Sequence, residues 1–528
     1  MARMNTRGTK PRNMANTPVN TTTGRAFTAE GGMGWQRTPK GELFLAAVTS
    51  LNEDTFYETA DKRAQRIQAL AASPQIVNSP EWTLGMVRWL RQEVGLRSIT
   101  GVVAMTVVKA RLDAGLTGTN RQIIEAAISR LDEASDMIAG WMSLYGRNIP
   151  SCVRRGVADA LRVRLSERSY LKWAGRMNAG SVTLRDVINL THPKPKNSVQ
   201  EALIKLVLDE SYGKKGDDKQ LPTIRAYRQF LAMDRDAQIR ALTGPDAKDV
   251  IRKAALTHEV IAGAIGTIPA DVWETLVPEM GYMALRMNLR RIEASGASRA
   301  LIATINERLS DVDEAAKSRT MPVAFYAAHK NAPLAFAAAL QDAANASLEN
   351  VPALKGRTLV LLDRSGSMSY PMSAKSSLSC QDTANVFASA LAIRGESVRV
   401  VAFDDHMEDV KVASTDLLRV VDQMPTARGC TYTPDAVAYA HKKGEKYDRI
   451  IILTDEQYRG GSVDNALDTY APRVPVFTWN LAGYATAQME ARQGRWTFGG
   501  LSDKGFQMIP LLERGIGQSW PWETETTL

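Results

Sequence analysis

The sequence predicts two units of different fold class: an all-α array over the first two thirds, then an α/β doubly wound parallel sheet. Three observations carry this reading. A chain of 528 residues is too long for one hydrophobic core. From about Thr38 to Asn345, apolar residues recur three and four apart, in segments split by short Gly, Pro or Asn breaks. Beyond Arg357, short apolar runs alternate with helical periodicity.

The elements follow from local signals. Residues 1–26 are rich in Asn, Thr, Gly, Pro and Arg and have little to bury. They read as a disordered basic arm able to attract phosphates, or as a plain solvated terminus. The helical array takes residues 27–350. Ser79-Pro80 opens a helix carrying Trp82, Met86 and Trp89. Ser198 with Glu201 forms a capping box ahead of Ala202–Leu208. Further helices fit Arg121–Leu131, Val157–Leu165, Ala270–Leu276, Gly281–Ala294 and Ala300–Leu309. Short connections point to paired helices stacked as a solenoid. A compact all-α bundle is the alternative, since no fixed period recurs.

Ser347–Arg357 marks the boundary, and residues 351–528 form the sheet unit. Strands are predicted at Thr358–Leu362, Val398–Phe403, Arg449–Leu453 and Val474–Trp479, with a shorter one near Trp496–Phe498. Helices are predicted at Asp382–Arg394, Pro434–His441 and Ser462–Tyr470.

Composition narrows the class. Apolar residues are 44% and charged residues 23%, as in globular proteins. No window approaches the ~18 apolar residues of a membrane span, and the polar N-terminus lacks the apolar stretch of a secretory signal. Cys152, Cys380 and Cys430 are widely spaced, giving neither a disulfide framework nor a CxxC zinc site. A cytoplasmic protein is expected. The net charge of +9 is uneven: residues 1–40 carry +6, 41–350 carry +5 and 351–528 carry −2. Residues 151–200 alone hold ten Lys or Arg against three acids. Such a patch points to a polyanion, most often nucleic acid, with solvated helix faces as the bland alternative.

The chemistry-bearing stretch is Thr358–Met368, TLVLLDRSGSM. A buried strand ends at Asp363, with Ser365 and Ser367 following, at the strand end where open α/β sheets bind ligands. One carboxylate and two hydroxyls suit a hard cation such as Mg²⁺ if more oxygens arrive from elsewhere. The loop Arg428–Pro434 offers Thr431 and Thr433, and the strand Ile451–Leu453 ends in Thr454 and Asp455. The run Asp404, Asp405, Glu408, Asp409 reads as a solvated loop. Ser-His-Asp, Walker and HExxH patterns are absent, so no enzyme is expected. His258, His329, His406 and His441 sit in ordinary helix or loop settings.

This DxSxS, Gly-loop-Thr and strand-Thr-Asp order resembles the von Willebrand factor A domain and its metal-ion-dependent adhesion site. The resemblance implies a metal set of Asp363, Ser365, Ser367, Thr431 and Asp455, holding Mg²⁺ or another divalent cation. In that family the hydroxyls bind directly and the second Asp often acts through water. A position is left open for a partner's carboxylate. Where the family has two glycines before the Thr, this chain has Gly429-Cys430.

Upstream, GGMGWQRTPKGELFLAA (Gly31–Ala47), GLRSIT (Gly95–Thr100), LRDVINLTHPKP (Leu184–Pro195) and MALRMNLRRIE (Met283–Glu293) resemble the TROVE family of the Ro autoantigen and its bacterial counterparts. The resemblance implies a monomeric, HEAT-like helical-repeat ring (TROVE) closed by the A domain. Its implied ligands are single-stranded 3′ ends of misfolded RNAs in the hole and small noncoding Y RNAs on the basic outside. The implied role is RNA quality control, in some bacterial members beside an exoribonuclease. Where the family carries a histidine before its His-x-Lys-Pro stretch, this chain has Leu184, so one RNA contact is missing.

Candidate RNA-binding residues are Arg154, Arg155, Arg162, Arg164, Lys172, Arg176, Arg185, His192, Lys194 and Lys196, with Trp173 interleaved for base stacking or core packing. Arg286 and Arg290, four apart on one helix, are candidates for the inner hole. The alternative function is a metal-dependent protein-interaction scaffold that captures an acidic partner and has no RNA role.

Overall fold

The computed structural model describes residues 22–49, 60–318, 320, 322–371, 376–442, 444–492, 494–499, 504–513, 520 and 522. Alternating burial along Thr22–Phe27 (β1) and a tight turn at Gly31, whose φ is 84°, produce an antiparallel hairpin with Met33–Arg37 (β2). Thr22–Ala26, expected to belong to a disordered basic arm, are instead part of a strand. Pairing with β2 satisfies the backbone of residues 22–27, and residues 1–21 lie outside the described residues.

Helices then follow one another from Pro39 to Ala346. Pro80 is the first residue of Pro80–Arg88, as the Ser79-Pro80 signal predicts, and Trp82 and Met86 are buried. The cap expected at Ser198 shifts by one residue. Asn197 is the cap, its Oδ1 accepting from Gln200 N at 2.9 Å, and Ser198 is already helical. The helix expected over Arg121–Leu131 ends at Ala126. The backbone N–H groups of Ser129 and Arg130 are taken by the Glu133 carboxylate, which starts the next helix, Asp132–Tyr145. No helix among the described residues is long and apolar enough to cross a membrane.

The sheet unit holds Arg357–Asp363 (β3), Ser397–Phe403 (β4), Met407–Val410 (β5), Arg449–Thr454 (β6), Val476–Asn480 (β7), Thr486–Ala487 (β8) and Arg495–Gly499 (β9). Six of these form one sheet in the order β5-β4-β3-β6-β7-β9, parallel except for the edge strand β5. Leu359 and Leu361 face the helices Thr433–His441 and Val463–Tyr470, while Val360 and Leu362 face Cys380–Arg394. Burial on both faces is why these strands read as continuous apolar runs.

Two large cores result. One belongs to the first helices, from Leu43 to Ile224. The other runs without a break from Phe230 through Leu354 and into β3 and the helix Cys380–Arg394. The array also begins on the sheet unit: β2 pairs with β8, and Arg63 and Arg66 donate to the carbonyls of Ala482 and Gly483. Starting and finishing on the same domain, the helices close into a ring.

Candidate metal centre and candidate nucleic-acid interface

From β3 the chain moves to β4 on one side and returns to β6 on the other. The carboxyl ends of β3 and β6 therefore flank a topological switch point. Leu362 lies opposite Leu453, which sets Asp363 beside Thr454 and Asp455. The Thr431 loop is drawn in by two backbone bonds, Gly366 N to Gly429 O at 2.9 Å and Arg428 N to Arg364 O at 2.6 Å. Asp363, Ser365, Ser367, Thr431 and Asp455 are all buried, Ser367 being the most exposed at 8%. The structure thus assembles all five side chains expected from the sequence.

Each carboxylate is held on one side. Asp363 accepts from Ser365 N at 2.8 Å and from the Thr454 hydroxyl at 2.5 Å. Asp455 accepts from Gln457 N at 3.0 Å, while its Oδ2 is buried without a hydrogen bond of good geometry. The Ser365 and Ser367 hydroxyls lie 3.2 Å apart. Burial, reinforced by nearby negative charge, raises Asp363 to about 6 and Asp455 to about 7. An orphaned carboxylate oxygen, paired hydroxyls and two carboxyls that resist charging together fit a hard cation. Among the described residues no group of three or more His, Cys, Asp and Glu side chains could hold a metal, so a cation here would take hydroxyl oxygens as well.

The Gly429-Cys430 departure is absorbed by geometry. Gly429 has φ 67°, and a Cβ there would lie 2.7 Å from the Asp405 carboxylate. Cys430 is not among the residues with positive φ, so it needs no second glycine; its N–H donates to Asp405 at 3.1 Å.

Of the acidic run expected as a solvated loop, Asp405, Glu408 and Asp409 are exposed, but Asp404 is not. Asp404 is buried and pairs with Arg364 at 3.0 Å and Arg428 at 2.9 Å. Burial alone would raise its carboxyl, but the His406 N–H and the two arginines hold it below the usual range. Arg364, the unspecified residue of DxSxS, thereby anchors the loop that presents both serines. Asp409 pairs with Arg399 at 2.5 Å on the edge strand β5.

Sequence reasoning also missed Glu456 and Arg37. Glu456 follows Asp455 in the left-handed region, with φ 63°. Its carboxylate is fully buried and paired with Arg37 of β2, and it accepts from Asn480 Nδ2 at 2.6 Å. Gly32 N and the Thr28 hydroxyl donate to Tyr458 O, at 3.0 and 2.7 Å. The hairpin therefore grips Glu456 and Tyr458, just past Asp455.

On the helical side, Arg154, Arg155 and Arg162 are exposed on Ser151–Arg164. At about 100° per residue they span one arc of roughly 100°. Gln200 ties the Lys194–Lys196 loop to that helix: its Oε1 accepts from Lys196 N at 2.8 Å and its Nε2 donates to Arg162 O at 3.2 Å. His192, exposed at φ 47°, ends the helix Leu184–Thr191 and aims the chain into this loop. Arg164 is half-buried at the end of the same arginine helix.

Other expected contacts are engaged elsewhere. Arg176 pairs with buried Asp132 at 3.0 Å, and Arg185 with Asp186 at 3.0 Å. Trp173 is half-buried with the Arg130 guanidinium 3.5 Å over its ring and Lys172 at 5.0 Å. Leu184 is buried. Arg286 and Arg290 line one cavity but donate to the carbonyls of Ala324 and Asn331 on the neighbouring helix.

A family model described as the Ro60 vWA domain matches residues 357–479, and one described as the TROVE domain matches residues 267–399. Of the helical stretches quoted above, Met283–Glu293 lies inside the second match. No curated protein matches the chain. The crystal structure of the Ro (RSR) protein of Deinococcus radiodurans shares the fold, with 19% identity and a TM-score of 0.65. The match covers 90% of this chain and 99% of that one. Residues 267–399 are thus similar to the TROVE domain and residues 357–479 to the Ro60 von Willebrand factor A domain, on a fold shared with that Ro protein.

Proposed function

We propose that this chain is a Ro-type RNA-binding protein that engages small noncoding, Y-like RNAs and the single-stranded 3′ ends of misfolded RNAs in RNA quality control. The observation that carries the reading is the free basic face. Arg154, Arg155 and Arg162 share one arc, adjoin the Lys194–Lys196 loop, and form no ion pair among the described residues. Unpaired cations on a rigid helix are suited to displacing counterions from a phosphate backbone. The Arg176, Arg185 and Trp173 group is tied up internally and supports that face rather than forming it.

Filter binding of the purified protein to a structured RNA with a free 3′ tail tests the reading. Affinity falls steeply with added salt if it holds. Salt-insensitive binding, or none, overturns it.

The A-domain site serves as a Mg²⁺-dependent docking point for an acidic protein ligand, with an exoribonuclease as one such partner. Asp363, Ser365, Ser367, Thr431 and Asp455 would hold the ion, which would supply a Lewis-acidic position for an incoming carboxylate. A second reading, a metal-dependent scaffold with no RNA role, draws on the orphaned Asp455 Oδ2 alone. It requires partner capture that disappears with EDTA while RNA is neither bound nor needed.

A further inference from the structure

Asp455 and Thr431, the two members of the metal set that lie outside the DxSxS stretch, are tied to the N-terminal hairpin by two short relays. In the first, Ala29 N donates to Gln457 Oε1 at 2.7 Å, and Gln457 N donates to Asp455 Oδ1 at 3.0 Å. In the second, Glu30 pairs with the Arg459 guanidinium, and Arg459 N donates to Thr431 O at 2.8 Å. Ala29 and Glu30 are neighbours in the hairpin turn, so one turn sets the aim of both side chains.

Between these relays the chain is held against its own preference. Glu456 sits in the left-handed region, which a residue with a Cβ seldom keeps unless its surroundings fix it. Arg37 of the hairpin supplies the buried countercharge that does so. Tyr458 fastens the far side, its carbonyl accepting from Gly32 N and its hydroxyl donating to Met33 O. The fit at Gly32 is tight: a Cβ there would lie 2.4 Å from Tyr458 O.

We propose that the hairpin is a working part of the metal centre: Glu30, Gly32 and Arg37 are positioning residues for Asp455 and Thr431, and cation binding and hairpin docking strengthen each other. This inference rests on reading Asp363, Ser365, Ser367, Thr431 and Asp455 as a cation site. With the hairpin seated, the left-handed turn at Glu456 is fixed and both side chains face the site. With it displaced, that turn relaxes, and Asp455 and Thr431 lose their common reference. Coupling of this kind is reciprocal, so a cation that draws the two together also holds the hairpin down. Because β2 leads directly into the helix Pro39–Thr49, the ion steadies the joint where the helical array starts.

Two measurements on the full chain test it. Isothermal titration with MgCl₂ compares the wild type with Gly32→Ala, which pushes the turn off Tyr458, and with Glu30→Gln, which releases Arg459. Each variant is expected to bind Mg²⁺ at least about fivefold more weakly, although neither changes a residue of the metal set. Hydrogen exchange with and without Mg²⁺ reads the reverse direction. In the wild type the ion is expected to slow residues 28–37 at least about fivefold while leaving the remote helix Ser151–Arg164 unchanged, and Asp363→Ala is expected to abolish the effect. A wild type that binds no Mg²⁺ overturns the cation reading and the proposal with it. Wild-type binding that both variants match overturns the coupling alone, and so does slowing that is absent from 28–37 or uniform along the chain. If Gly32→Ala loses circular dichroism signal, Glu30→Gln decides by the same titration.

Discussion

Replacing Arg37 by Met removes one half of a fully buried ion pair and leaves the Glu456 carboxylate without a countercharge. Breaking such a pair costs about 3–5 kcal/mol, most of it from the charge left behind. Here the Glu456 carboxylate retains Asn480 Nδ2 at 2.6 Å and Gln488 N at 3.3 Å, which places the expected loss near about 3 kcal/mol, the lower end of that range. With a urea m-value of about 3 kcal/mol per molar, the first unfolding transition moves down by about 1 M. Urea titration followed by circular dichroism measures this. Adding Glu456→Gln to Arg37→Met is expected to restore more than half the loss, since no charge is then stranded. A shift below about 0.2 M in the single variant, or a larger loss in the double, would refute the claim that this pair holds the hairpin to the A domain.

Four further outcomes are expected. Excess Mg²⁺ raises the wild-type Tm by about 5 °C at a hundredfold excess over Kd, and Asp363→Ala abolishes the shift; a wild-type Tm indifferent to Mg²⁺ and EDTA counts against the metal site. The shift also depends on pH. Burial raises Asp363 and Asp455 above their ordinary 3.8, so metal-free stability from this pair is full below about pH 4. That contribution is lost as pH climbs through about 6 to 7. The Mg²⁺-induced shift, which competes with those protons, should therefore be larger at pH 8 than at pH 5.5 in paired thermal melts. Changing Arg154, Arg155 and Arg162 together to Gln lowers the slope of log K against log salt by about 2 for a single-stranded RNA, measured by filter binding at four salt concentrations. Gly429→Ala strains a left-handed residue against Asp405 and should lower Mg²⁺ affinity more than Cys430→Ala does, as isothermal titration would show.

How far the site was legible follows from where its parts come from. Asp363, Ser365 and Ser367 lie within five residues, and Thr431 and Asp455 each end a recognisable loop or strand. Local signals were enough to place these strand ends and this loop, and the resemblance joined them into one candidate set. The Arg37–Glu456 pair spans 419 positions, and nothing local to either residue announces the other. Asp404 looked solvated because three further acids crowd the same run, yet its burial depends on Arg364 and Arg428 arriving from two other segments. On the basic segment, composition located the patch but could not sort it. Arg176 is neutralised by Asp132 in another helix, whereas Arg154 and Arg162 escape only because of their angular position on theirs. Helix existence was readable from periodicity, while ends such as Ala126 were decided by Glu133 capping the next turn.

The unbroken core that runs from Phe230 into β3 bears on where this chain can be cut. A fragment starting at Val351 would lose Leu340, Ala343 and Ala344 from beneath its own helices, along with Asn345, whose Oδ1 accepts from Leu417 N at 2.9 Å, and the Lys330–Asp382 pair at 2.8 Å. Such a piece would present raw apolar surface and aggregate. A cut near residue 225 falls between the two cores and keeps that shared core whole, at the cost of the Arg37–Glu456 pair and the β2–β8 pairing. In this molecule the unit of folding and the unit of family resemblance have different borders.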